Sequence, residues 1–182
     1  MSTTADPNII KLRNVRLSFP KLFVPEAVEE GGKLKYSAAF ILDNTDHAQI
    51  IALIEKATER VALDEFRKKV PLRHKPLRDG NEFPDMDGYG NGVMFVSAKS
   101  DRRPVVVDSD STPLTADDQR PYAGCYVHAN IRLFAYDHKT GGKGVSAELR
   151  AVMFAKDGDS FGAGPVNADD EFNDVMADDM LN

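Results

Sequence analysis

Residues 123 to 156 constrain the fold more than any other stretch of the chain. Cys125, Val127, Ala129, Ile131, Leu133 and Ala135 alternate there with Tyr126, His128, Asn130, Arg132, Phe134 and Tyr136. Alternation at period two predicts a long half-buried strand, because successive side chains of extended backbone point to opposite faces. The first set is apolar and small to medium in size, which suits a core. The second set mixes rings with hydrogen-bonding and cationic groups. It serves either to stack bases and hold phosphate or to cover a barrel wall, and both readings stay open at this point. Asp137 to Gly144 supply turn chemistry. Val145, Ala147, Leu149, Ala151, Met153 and Ala155 then alternate with Ser146, Glu148, Arg150, Val152, Phe154 and Lys156. The expectation is a long β-hairpin with a cationic tip at Lys139 and Lys143. The tip is not a phosphate-binding P-loop. That motif needs Gly at 137 and Ser or Thr at 144, where Asp137 and Gly144 stand, and a helix after it.

The rest of the chain reads as further strands and one helix. Ile9 to Phe19 alternates as a first strand, ended by Pro20. Leu34 to Leu42 is a second, with Leu34, Tyr36, Ala38, Phe40 and Leu42 on one face and Lys33 and Lys35 beside Tyr36. Asp46 with Gln49 three residues later resembles a capping box. Ile50, Leu53, Ile54, Ala57 and Val61 form a helical stripe. A helix is therefore expected over 46–69, stopping before Pro71. Residues 71–90 read as a loop rich in Pro, Gly and charge. Strands follow near 92–99 and 104–108, with a basic corner at Arg102 and Arg103 between them.

Charge divides the chain. After Lys156 there are eight acids and no Lys or Arg, which leaves 21 acids against 23 bases in the body. A slightly basic body with an acidic end predicts one domain over 1–156 and a disordered acidic tail over 157–182. Asp169, Asp170, Glu171, Phe172, Asp174, Asp178, Asp179 and Leu181 give that tail an acidic-hydrophobic character suited to partner proteins. The single Cys125 excludes a disulfide framework and a cysteine-based metal site. Four scattered histidines lack ligand spacing. An EF-hand register ending on Asp87-Gly88 fails, because Phe83 and Met94 fall at its first and last ligand positions. No apolar run approaches membrane length and the N-terminus is polar, so a cytoplasmic protein is expected.

Several segments together carry a family resemblance. They are Asn14-Val-Arg-Leu-Ser-Phe-Pro20, Lys35-Tyr36, Asp85-Met-Asp-Gly-Tyr-Gly90, Arg102-Arg-Pro-Val-Val-Val-Asp108, Gly124-Cys-Tyr-Val127, Phe134-Ala-Tyr-Asp137 and Gly142-Lys-Gly-Val-Ser-Ala147. Over about residues 9–156 the chain resembles a family of phage-encoded single-stranded-DNA-binding proteins. The resemblance implies a mainly β, OB-fold-like five-stranded Greek-key barrel, here with an inserted helix, acting in a host bacterial cytoplasm. It implies binding of single-stranded DNA without sequence preference during phage replication and recombination. No enzyme activity, metal or cofactor is implied. Bases are then expected on Tyr36, Tyr89, Phe95, Tyr126, Phe134 and Tyr136. Phosphates are expected on Lys33, Lys35, Lys99, Arg102, Arg103, Arg132, Lys139 and Lys143. The acidic tail is expected to compete with DNA and to recruit replication or recombination proteins, and a homodimer is compatible with the sequence. Two other classes stay open at this point. One is a metal-dependent nuclease built on Asp79, Glu82, Asp85 and Asp87. The other is a protein-interaction module without DNA affinity.

Overall fold

A computed structural model describes residues 6–27 and 30–162. Among these residues the strands are β1 (Ile9–Ala27), β2 (Leu34–Asp43), β3 (Leu77–Asp79), β4 (Val93–Ser100), β5 (Val105–Val107), β6 (Tyr126–His138) and β7 (Gly142–Lys156), with helix α1 (Ala48–Phe66) after β2. β1 pairs antiparallel with β2 and β6, β2 with β4, and β6 with β7. Parallel pairing of Ala98 with Ala147 and Lys99 with Glu148 joins β4 to β7 and closes the ring. The result is the five-stranded Greek-key barrel of the OB fold. β3 extends it beside β4, and β5 beside β7. β3 lies inside the segment expected to be loop.

The hairpin forms as the alternation predicts. Cys125, Val127, Ala129, Ile131 and Leu133 are all buried. They pack with Leu12, Val15, Leu17, Phe40, Leu42, Val96 and Leu149 in one core, and Ile54, Ala57, Val61 and Ala62 of α1 join it. Leu53, expected in the same helical stripe, is instead exposed.

β-Bulges change which residues face the core. Asn130 pairs with Ala151 while Ile131 pairs with Leu149, so Arg150 is an extra residue in β7. One extra residue inverts the alternation. Val152 and Phe154 are therefore buried, whereas simple alternation would bury Ala151 and Met153. In β1, Leu12 pairs with Ala129 and Val15 with Val127, which leaves Asn14 over at φ 54°. Asparagine tolerates that left-handed conformation better than most residues. A second irregularity falls between Ser18 and Lys21. Pro20 sits within it, where no ladder hydrogen bond is required, so the strand runs on to Ala27 rather than ending at Pro20.

The helix is shorter than the expected 46–69. Its N-cap is His47 and no side chain caps it, so the Asp46–Gln49 box does not form. The Asp43 carboxylate instead accepts from the N–H groups of Thr45 (2.8 Å) and Asp46 (2.9 Å). These bonds hold its pKa below the usual carboxylate value. Arg67, at φ 62°, ends the helix by donating its N–H to the Leu63 carbonyl. Lys68 and Lys69 therefore lie past the last turn.

Burial pushes the Cys125 thiol up to about 11. It stays protonated at neutral pH in the folded chain, so a thiol reagent is expected to modify it only on unfolding. Its folded pKa lies above its unfolded value. Its contribution to stability is thus complete below about pH 8.5 and falls as pH rises beyond it, because the unfolded state then binds fewer protons. A pH series of melting temperatures checks the sign.

Residues 157–162, expected to begin the tail, lie against the barrel. The eight residues assigned to partner binding, from Asp169 to Leu181, lie outside the described residues. Among the described residues no helix is long and apolar enough to cross a membrane.

Candidate nucleic-acid interface

The outward face of β2 and β4 forms the floor of a cleft. Ser37 and Ala39 of β2 and Ser97 and Lys99 of β4 line it with Phe19, Phe83, Met86, Tyr89, Phe95 and Arg78, around a volume of about 210 Å³. The small residues leave depth and the rings supply walls. Tyr89 stands edge-on to Phe95 at 5.1 Å and to Phe83 at 5.8 Å, and tilted to Phe19 at 6.4 Å. Edge-to-face packing of this kind suits the ring quadrupoles. Arg78 lies 4.9 Å from the Phe95 ring centre and 5.7 Å from that of Phe83. Two hydrogen bonds to Glu82, at 3.1 and 2.9 Å, hold it there. The Tyr89 hydroxyl donates to Ser18 Oγ at 3.1 Å, and burial pushes its pKa upward.

Two rings remain open to solvent. Phe19 is 52 % exposed and Phe83 37 %. Phe19 also holds φ at 46°, a region that is strained for a bulky side chain. Strained residues cluster at binding sites, where the surrounding fold imposes the conformation. An exposed aromatic face can stack any base, since every base has a π-face.

Cations rim this face. Lys99, Ser37 and Lys21 share one row across β4, β2 and β1. Lys33 and Lys35 approach Asp101 at 3.1 and 3.8 Å. The Lys33 bond, opposed in part by desolvation, lowers the Asp101 pKa. Arg102 and Arg103 are exposed in the turn after β4, with Arg103 5.6 Å from the Phe23 ring centre. Replacing Arg102 and Arg103 together by alanine is expected to flatten the salt dependence of DNA binding by roughly 1.4, about 0.7 per phosphate contact. The melting temperature should hardly move, since exposed charges contribute little to stability. Early melting would make the pair structural.

The expected site residues separate into groups. Lys33, Lys35, Arg102 and Arg103 lie where β2 begins and β4 ends, and Tyr89 and Lys99 line the cleft. Phe95 belongs there but is 2 % exposed, so it supports the other rings and cannot itself take a base. Tyr36 shares the parity of Ala38 and Phe40, so it points away from the face that carries Lys35 and Ser37. Tyr126 stands beside Arg16 on the next strand. The residues from Arg132 to Lys143 sit elsewhere. Arg132 donates to Asp6 at 2.9 Å, and Phe134 is on the outer face of β6. Tyr136 packs on His138 at 4.9 Å, and Lys143 lies 5.1 Å from the Phe66 ring centre near the end of α1. Lys139 is exposed at the hairpin tip. The hairpin tip thus leans on the helix and residues 73–74, through Arg73 N–H to Lys143 O and Val145 N–H to His74 O. Phe19, Phe83 and Met86 were not expected. The ring density of Phe83 and Tyr89 in a polar loop was the available signal.

The acidic loop is occupied by its own structure. Asp79 accepts from Asn81 N–H at 2.8 Å, Glu82 holds Arg78, and Asp87 accepts from Gly162 N–H at 2.7 Å. That last bond belongs to a strap formed by residues 157–162. Asp159 O accepts from Arg16 at 2.8 Å, and the Phe161 ring centre lies 4.4 Å from the Arg16 guanidinium. Gly124, at φ 104°, passes so close beneath that a Cβ there would collide with the Asp159 carbonyl. Gly124→Ala is expected to cost about 1–3 kcal/mol, from backbone strain alone. It should also release the strap, seen as faster amide exchange at Phe161, whose N–H bonds Ala123 O at 3.0 Å.

The chain resembles known proteins over nearly its whole length. It is 40% identical over 176 residues to the p50 protein of Acyrthosiphon pisum secondary endosymbiont phage 1, covering 91% of this chain and 93% of that one. The single-stranded DNA-binding protein from bacteriophage Enc34, solved in complex with ssDNA, superimposes with a TM-score of 0.77 at 30% identity, over 85% of this chain and 90% of that one. The single-stranded DNA-binding protein gp2.5 of bacteriophage T7 shares the fold, at 18% identity and a TM-score of 0.61 over 92% of this chain and 99% of that one. The family described as "Enterobacter phage Enc34, ssDNA-binding protein" matches residues 8–181, and the chain belongs to that family of phage single-stranded-DNA-binding proteins.

Proposed function

We propose that this chain binds single-stranded DNA without sequence preference and protects it during phage DNA replication and recombination in the host cytoplasm. The observation that carries the reading is the cleft on β2 and β4, where Phe19 and Phe83 offer exposed ring faces beside Lys99, with Lys33, Lys35 and Arg102 at the end where β2 begins and β4 stops. OB folds use this strand face for oligonucleotides. Rings stack bases of any sequence while the cations meet phosphate, so the site discriminates by strandedness rather than by base edge. The engagement of Asp79, Glu82 and Asp87 in local hydrogen bonds weighs against a nuclease centre. The acidic tail competes with DNA for the basic rim and, once displaced, recruits partner proteins. In support, the strap delivers the chain to Gly162 beside Asp87 and the cleft loop.

Titration of a fluorescent oligo-dT at several salt concentrations tests the reading. With about five phosphates neutralised, log affinity is expected to fall with log salt at a slope near −3.5. A slope near zero, or no binding, would overturn it. Incubation of labelled DNA with magnesium or manganese should leave the strand intact, and cleavage would favour the nuclease reading.

A further inference from the structure

We infer that the DNA path continues past the aromatic cleft, across β1, into a second groove lined by Tyr126, Lys11, Arg13 and Lys156, which takes further nucleotides of the same strand. This rests on the reading of the cleft as a DNA site. Its basis is one row of the barrel surface. Arg78 pairs with Phe95, Phe95 with Ile41, Ile41 with Arg16, Arg16 with Tyr126, and Tyr126 with Lys156. Six strands thus align, at one level, a cation, a ring, an aliphatic residue, a cation, a ring and a cation. Phe95 and Ile41 are covered, so the members that reach solvent are Arg78, Arg16, Tyr126 and Lys156. Strands lie about 4.8 Å apart, so the row runs roughly 24 Å. Phe161, with its ring centre 4.4 Å from Arg16, adds a ring near the gap at Ile41, since both side chains lie against Gly88. Exposed cations and ring faces along one path suit a single strand of nucleic acid, which offers phosphates and bases in turn.

Beyond Arg16 the row opens into a cavity of about 1150 Å³. Tyr126 lines it, its ring centre 5.7 Å from the Arg16 guanidinium and 4.8 Å from Lys156 Nζ. The far wall carries Asp43 and Asp46, but the Asp43 carboxylate is already engaged by two backbone N–H groups. Four cations therefore face two carboxylates. The Asn14 bulge makes this possible. In regular alternation Lys11 and Arg13 would face outward and Arg16 inward. The extra residue turns Arg16 outward as well, so all three line the groove. The bulge is fixed from both sides: Asn14 N–H donates to His128 Nδ1 at 3.1 Å, and Asn14 O accepts from His47 Nε2 at 2.9 Å.

The test compares the full chain with its K11A/R13A/K156A variant on dT oligonucleotides of about 5 and about 15 residues, which span the range of site sizes in OB folds. Lys11, Arg13 and Lys156 are exposed, so the variant should melt as the parent does. The short oligonucleotide should bind both proteins alike. The long one should bind the variant at least about tenfold more weakly at low salt, with a slope shallower by roughly 2, at about 0.7 per lost contact. A long oligonucleotide carrying 5-iododeoxyuridine should photo-crosslink to Tyr126, and the short one should not. Equal binding of the long oligonucleotide with an unchanged slope overturns the second groove and leaves the cleft intact. Equal weakening on both lengths overturns it too, since the cations would then serve the first segment. If the parent protein binds neither oligonucleotide, the reading of the cleft fails and this inference falls with it.

Discussion

Replacement of Phe19 and Phe83 together by alanine is expected to weaken oligo-dT binding by roughly 30-fold or more. Each base stacked on a ring contributes about 1–3 kcal/mol, and about 1.4 kcal/mol corresponds to a factor of ten. Both rings are substantially exposed, at 52 % and 37 %, so little core packing is lost and the melting temperature should stay close to that of the parent. Phe95 behaves in the opposite way. It is buried under Tyr89, Phe83 and Arg78, so Phe95→Ala should destabilise the fold by about 3–5 kcal/mol and disturb binding only through collapse of the cleft. Tyr89→Phe separates ring from hydroxyl. It removes the bond to Ser18 Oγ while keeping the ring, and should leave affinity nearly unchanged. Fluorescence titration beside thermal melting distinguishes the three. Unaltered affinity of the Phe19/Phe83 variant would remove stacking in this cleft from the account.

Truncation after Gly162 is expected to tighten DNA binding by about tenfold at low salt, with the difference vanishing near 1 M, where the Debye length is only about 3 Å. The removed segment carries six acids and no Lys or Arg. For a polar stretch of 20 residues the composition predicts a root-mean-square reach of about 25 Å. That reach gives an effective concentration of order mM at the basic rim, which DNA must overcome. The cut belongs after Gly162 rather than after Lys156. Residues 157–162 bond to Arg16, Ala123 and Asp87, and Tyr122 accepts from Gly158 N–H at 3.1 Å. A cut at Lys156 would remove this strap and confound lost competition with a disturbed surface. Equal affinities of the two chains at low salt would confine the tail to partner binding.

The β-hairpin and the position of the helix between the second and third strands were legible in local pattern, while the barrel class came from the family resemblance. Alternation and turn chemistry are properties of neighbouring residues, and burial of one strand face follows from them directly. The inward set from Cys125 to Leu133 shows how far that reaches. The pattern fails at Asn14, Phe19 and Arg150. A bulge there depends on the register of the opposing strand, and each inverts the facing of every residue beyond it.

The same limit governed the site. Charge and ring content left a nucleic-acid surface as one of two open readings of the ring-bearing face, and the cations near β2 and β4 were expected as phosphate contacts once the family resemblance was drawn. Exposure of individual rings was not. Phe95 and Phe19 are both rings on strands, yet one is covered by β3 and the 80–90 loop and the other is left open at a strained turn. Composition and periodicity by themselves determined that this chain is β-rich, with a long hairpin, one helix, a weakly basic body and an acidic end, because apolar alternation and charge count need no partner to act; the barrel was implied by the family resemblance. Which rings can meet a base, and that Arg16 turns outward to join Tyr126 and Lys156, only the tertiary structure decided, because those facts depend on how six strands distant in sequence align side by side.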